Sequence, residues 1–311
     1  MYLDDDKQLQ QDSEGAADAH PESLSMASSS DATEPPVTSP AAQPLLPSMR
    51  PKTFDPALPD DLRVPWGWLD LLLLVVVAFA ATIVLSIIIV MGFAFSGVSF
   101  HQLQASISDE NLVLIINQAL LSVALLIYLG AQMRLRFGLP FWRTIGWRPL
   151  DTEKTPRFVA HLGFALGGSL LAVLVSLGSS ALHTKTQLPI EHFFQDRTSA
   201  LLLMLLGVLV APVLEETIFR GYIYPVAARS FGVAGGVLFT GTIFGLLHAS
   251  QLWGGWGQIA LLVVVGIVFT YARAATRTVV ASYLMHVSYN SFLFLAMAVG
   301  SHGFRHFPGA S

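Results

Sequence analysis

The sequence predicts an all-α protein: a polytopic transmembrane bundle of about seven to eight helices, preceded by a disordered N-terminal tail. Three observations lead there. The 311 residues are 53% hydrophobic and only 12% charged, with a mean hydropathy of +0.59, far too apolar for a soluble domain of this length. From Trp66 onward the apolar residues gather into about seven stretches, each near the ~20 residues that cross a hydrocarbon core. Before that point, Met1 to Arg63 is rich in Ser, Ala, Pro and acids with no sustained apolar period, so it cannot bury enough surface to offset its ordering entropy.

Taken in order, the tail over 1–63 holds twelve of the 21 acids and four of the 17 bases, which leaves the remainder net basic. Its start, with Asp4, Asp5 and Asp6, lacks the basic opening and apolar core of a signal peptide. The helical domain is expected over 64–301, with a short tail at 302–311. Its spans are placed at 67–95, 111–132, 158–182, 200–228, 233–251, 257–274 and 278–299. Arg134, Arg136, Arg143, Arg148, Lys154 and Arg157 crowd one connection, whereas 96–110 and 252–256 carry no Lys or Arg. The positive-inside rule then puts the N-terminus and the 133–157 loop in the cytoplasm, in a multi-pass protein of the inner membrane. Trp142 and Trp147 at one end, and Trp253 and Trp256 at the other, fit interfacial belts. Gly241 with Gly245, and Gly163 with Gly167, offer small faces for close helix packing. The chain has no cysteine, which excludes disulfides, thiolate metal sites and a cysteine nucleophile. Nothing in the charge pattern points to nucleic acid.

Glu215 and Glu216 are the only acids between Ser199 and Gly300. A charge at bilayer depth costs about 2.5 to 3.5 kcal/mol on insertion scales, so such a residue is a functional candidate. The fourth and fifth spans form a hairpin turning near Gly232, and Glu215 and His248 each stand about 25 Å along their helices from that turn. The last two spans turn near Thr276, which brings His286 and Asn290 to a comparable depth. Gly221 and Pro225 predict a kink or break below Arg220. Four polar groups on three helices can therefore converge on one chamber, expected to open toward the cytoplasm.

Glu216 and Arg220, spaced i, i+4, share a helical face and can neutralise each other. Glu215 is turned about 100° away, free to act as a general base. His286 and Asn290 share a face, as do Phe244 and His248; an imidazole beside a carboxamide can donate two hydrogen bonds to one oxyanion.

Glu215-Glu216-Thr-Ile-Phe-Arg220, Phe244-Gly-Leu-Leu-His248 and His286-Val-Ser-Tyr-Asn290 read as EExxxR, FxxxH and HxxxN, in this order on successive segments. The set resembles the CPBP (CAAX protease and bacteriocin-processing, or Abi) family, which includes the type II CAAX prenyl endopeptidases. The resemblance covers about 200–299. It implies a multi-helix intramembrane protease, of a kind often classed with the metalloproteases, acting on a peptide or lipidated protein at the bilayer. It implies that Glu215 and His248 activate water and that His286 and Asn290 stabilise the oxyanion, with Glu216 and Arg220 structural or substrate-orienting. CAAX-type C-terminal processing and bacteriocin processing or immunity both remain open.

Glu215, His248 and His286 are also the donors of a His2Glu zinc site, although the HExxH spacing is absent; a metal-free Glu/His pair explains the same residues. Two functions of other classes use the same features. A proton-coupled transporter also needs buried carboxylates and histidines, but no matching polar set marks the first three spans as an inverted repeat. A non-catalytic scaffold would recruit partners through the acidic tail.

Overall fold

The computed structural model of the chain describes residues 58–95, 107–153, 155–182, 188–194 and 196–305. Over these the protein is helical. The helices are α1 (Trp68–Phe95), α2 (Ile107–Ala131), α3 (Phe141–Ile145), α4 (Arg157–Ala181), α5 (Arg197–Leu205), α6 (Ala211–Glu215), α7 (Tyr224–Leu247), α8 (Trp256–Thr276) and α9 (Val279–Gly300). Six runs among the described residues are long and apolar enough to cross a membrane. One of them, Arg197–Leu247, is divided at Gly232, whose φ of 74° and ψ of 167° break the helix. The protein is an integral membrane protein.

Burial says which way the apolar side chains face. On α1, Leu69, Leu72, Val75, Phe79 and Ile83 all stand exposed. A helix that is apolar all round and exposes this much of its surface has lipid as its outer contact.

The first folded residues precede the expected boundary at 64. Asp60–Leu62 forms a 3-10 turn in which Leu62 is buried against Tyr224, Ala228 and Val237. Asp61 is held by Arg273 at 2.8 Å, and Arg229 donates to the carbonyls of Val64 and Trp66. The strap is held because buried Arg273 and partly buried Arg229 take its oxygens. The tail before residue 58, read from the sequence as disordered, lies outside the described residues. At the other terminus, Phe304 is buried against Phe194, so the domain continues past 301.

Three close approaches set the packing. Cβ atoms on Gly241 and Gly245 would meet the backbone of Ile267 and Val263, at 2.5 and 2.7 Å from their nitrogens, so the small face expected there is where α7 meets α8. On α4 the contact falls one residue later than the expected Gly163 and Gly167. A Cβ on Gly168 would strike the Met285 carbonyl, whereas Gly163 faces open space. At Gly221 a Cβ would collide with Ile145, whose carbonyl oxygen lies 2.8 Å away, which seats α3 against the long fourth span.

Trp147 also departs from its expected interfacial role. Its indole donates to Thr217 Oγ1 at 3.0 Å and meets Tyr283 edge-on, so it plugs the bundle while Trp142 stays exposed.

Candidate active site

The acidic pair sits where the fourth span changes helical pitch. α5 passes into a π turn at Leu206–Val210, α6 follows, and a second π turn occupies Glu216–Ile223. A proline follows each turn: Pro212 withholds the N–H that Val208 would receive, and Pro225 the one for Gly221. The kink expected below Arg220 is thus absorbed as a π turn, a feature found disproportionately at functional sites.

Glu216 and Arg220 are both 0% exposed and pair at 2.9 Å. Arg220 also donates to the Gly266 carbonyl at 3.1 Å and lies 4.4 Å from the centre of the Phe244 ring, with Phe219 and Phe269 at 5.8 and 5.4 Å. The same oxygen of Glu216 receives His286 Nδ1 at 2.8 Å. Sequence spacing showed the ion pair but not this second bond, which crosses from the fourth span to the last. Phe269, packed on both His286 and Arg220, was also missed, because one more phenylalanine in an apolar span carries no signal.

Glu215 points elsewhere. One carboxylate oxygen lies 3.9 Å from His248 Nε2 and the other 3.7 Å from His286 Nε2. Glu215 and His248 side chains are 22% and 21% exposed, and with Asn290 they are the part-accessible members of a group whose Glu216, Arg220, Phe244 and His286 are buried. His248 has its Nδ1 2.8 Å from the Phe244 carbonyl; donation there fixes the tautomer and leaves the Nε2 lone pair facing Glu215. Asn290 donates to the Gly207 carbonyl at 2.7 Å, which uses one of its two amide hydrogens. Glu215, His248, His286 and Asn290 all line one chamber of about 390 Å³, walled mainly by apolar side chains.

All seven residues picked out from the sequence therefore meet in one place. The chamber runs past Leu203, Phe294 and Met297 to Ile190, Gln251 and Gln258, at the bundle end opposite the 133–157 loop. Toward that loop it is floored by Phe244, Phe269 and Arg220, all buried.

The donor chemistry of Glu215, His248 and His286 suits zinc, since each ring has its Nδ1 engaged and its Nε2 turned to Glu215. Among the described residues, however, no group of three or more His, Asp or Glu side chains closes to metal-holding spacing.

A family model described as Type II CAAX prenyl endopeptidase Rce1-like matches residues 197–292, the stretch that supplies every residue of this site. Over this stretch the chain is similar to the type II CAAX prenyl endopeptidases. Comparison with curated proteins and with solved structures gives no match. The match and the membrane-spanning helices together support a CAAX-type intramembrane protease at the level of that family.

Proposed function

We propose that the protein is an endopeptidase that hydrolyses a peptide bond of a membrane-associated substrate, with Glu215 and His248 activating the attacking water. The observation that carries this reading is the convergence of the Glu215 carboxylate on two imidazole Nε2 atoms at 3.7 and 3.9 Å inside an apolar chamber. These gaps are wider than a hydrogen bond and suit a water that bonds to both partners.

Glu215, ionised and partly desolvated, accepts the proton of that water as its oxygen attacks the carbonyl carbon. His248 Nε2 accepts from the same water and orients its lone pair. His286 donates Nδ1–H to Glu216, so its Nε2, when protonated, faces the chamber as a cationic donor whose charge Glu216 balances. That donor and the remaining amide hydrogen of Asn290 receive the oxyanion. Collapse of the tetrahedral intermediate breaks the C–N bond, and Glu215 returns its proton to the leaving amine. Glu216 and Arg220 touch no reacting atom; they hold His286 in register. If zinc binds, Glu215, His248 and His286 are the residues that would hold it, and it would lower the pKa of a bound water to about 7.

The apolar wall favours a lipid-bearing or apolar peptide, and the family match favours a prenylated C-terminal segment of the CAAX type. The test is terminal-peptide proteomics on membranes from cells expressing wild type or Glu215→Gln at matched levels. New termini are expected only with the wild type. Identical termini at good coverage, together with proton flux lost in the Glu215→Gln proteoliposomes, would overturn the reading in favour of a transporter.

A further inference from the structure

Tyr289 lines the chamber, and the mechanism gives it no task. It stands on α9 one turn beyond His286 and next to Asn290. At about 100° per residue it is rotated about 60° from His286 to one side, and Asn290 about 40° to the other. Asn290 turns toward the fourth span, where it bonds the Gly207 carbonyl. Tyr289 turns to the opposite flank, where it packs with Ala172 of α4 and with Val265 and Phe269 of α8. Its ring meets that of Phe269 edge-on at 5.8 Å.

Tyr289 is only 5% exposed, yet its hydroxyl has no hydrogen-bond partner among the described residues. Buried tyrosines normally find one, because an unbonded hydroxyl withdrawn from water is costly. Ala172, Val265, Phe269 and Met285, the side chains buried with it, carry no acceptor. The room left for a partner is the chamber, whose wall Tyr289 shares with Val175 and Leu262.

We propose that Tyr289 is a substrate-binding residue, whose hydroxyl donates to the carbonyl oxygen of a peptide unit flanking the scissile one. The proposal rests on the protease reading of the site and adds a second anchor to it. Successive carbonyls of an extended chain point to alternate sides. With the scissile carbonyl turned to His286 and Asn290, a neighbouring carbonyl therefore faces the other flank of α9, where Tyr289 stands. Such a bond also selects the conformation of the substrate. In a helix that carbonyl is committed to an N–H four residues on; only an unwound segment has it free, so the pair of anchors favours an extended backbone.

The test uses the full chain in detergent, with Tyr289→Phe, which removes the hydroxyl and keeps the ring against Phe269. The probe is a prenylated quenched-fluorescent peptide of the CAAX type, together with versions in which each peptide unit flanking the scissile bond is replaced by an (E)-alkene. Tyr289→Phe is expected to raise KM about 3- to 10-fold, the worth of one hydrogen bond between uncharged groups. Its kcat should stay within twofold and its melting temperature should not fall. One of the two alkene peptides should lose the same factor in kcat/KM with the wild type and nothing with Tyr289→Phe, a coupling that a structural role would not produce. An unchanged KM, a fall in kcat instead, or alkene penalties equal in the two proteins would overturn the proposal and leave the protease reading standing. If the wild type cleaves neither this peptide nor a pool of random apolar peptides, the protease reading fails and this proposal with it.

Discussion

Arg220→Ala and Glu215→Gln should separate structure from chemistry within a single pair of neighbouring carboxylates. Removing the Arg220 guanidinium deletes its 2.9 Å pair with Glu216, its 3.1 Å bond to the Gly266 carbonyl and its stacking over Phe244. Glu216, wholly buried, then keeps only the partners His286 and Ser282 in place of a guanidinium. Breaking a buried pair by removing one partner typically costs about 3 to 5 kcal/mol. At about 2 to 4 °C per kcal/mol for a domain of this size, the melting temperature should fall by about 6 to 20 °C. Glu215→Gln is isosteric, partly exposed, and forfeits no contact shorter than 3.7 Å, so its cost should stay within about 0.5 kcal/mol. Turnover should nevertheless fall by about 10² to 10⁴, the usual worth of a positioned general base. Both variants are purified in detergent, melted by intrinsic tryptophan fluorescence and assayed for peptide cleavage. An equal loss of melting temperature in the two would refute the division of roles, as would an unshifted Arg220→Ala.

Asn290→Ala should lower kcat by about 10²-fold, the scale of one lost oxyanion donor, with KM little changed; steady-state kinetics distinguishes this from a binding defect. Gly221→Ala forces a methyl against Ile145 and should destabilise the bundle by about 1 to 3 kcal/mol, read as a lower melting temperature that Ile145→Ala partly restores. Asp61→Ala leaves Arg273 buried without its carboxylate; the melting temperature should fall, and limited proteolysis should cut the released strap near Arg63. Chelation with 1,10-phenanthroline should leave turnover unchanged if Glu215 and His248 suffice, whereas loss restored by added zinc would assign water activation to a metal held by Glu215, His248 and His286.

The spans were legible because membrane crossing needs a run of apolar residues of set length, and Trp68–Phe95, Arg157–Ala181 and Val279–Gly300 follow that requirement closely. The turn at Gly232 was legible for a related reason: counting residues from it put Glu215 and His248 at one depth, and the structure brings them within 3.9 Å. What helical spacing could not supply was the bond from Glu216 to His286, since the rotation of one span against another is set by packing. The π turns left a trace in Pro212 and Pro225, but a proline alone does not say whether a helix breaks, bends or widens. The closure of one end was not legible either. Trp147 and the strap at 58–67 close one end through hydrogen bonds and buried pairs that no periodicity announces.

The segment from Val233 to Leu247, which ends at His248, has a consequence for the surrounding lipid. At 1.5 Å per residue it rises about 22 Å, short of a hydrocarbon layer about 30 Å thick. A helix this short draws the adjacent leaflet inward or seats its end below headgroup level. Beyond it, residues 248–254 continue as turns with Trp253 exposed, an aromatic suited to the lipid–water boundary. A leaflet drawn in to match this helix would be thinnest beside the imidazole of His248. Such thinning would shorten the distance that water and a polar backbone cross to reach Glu215.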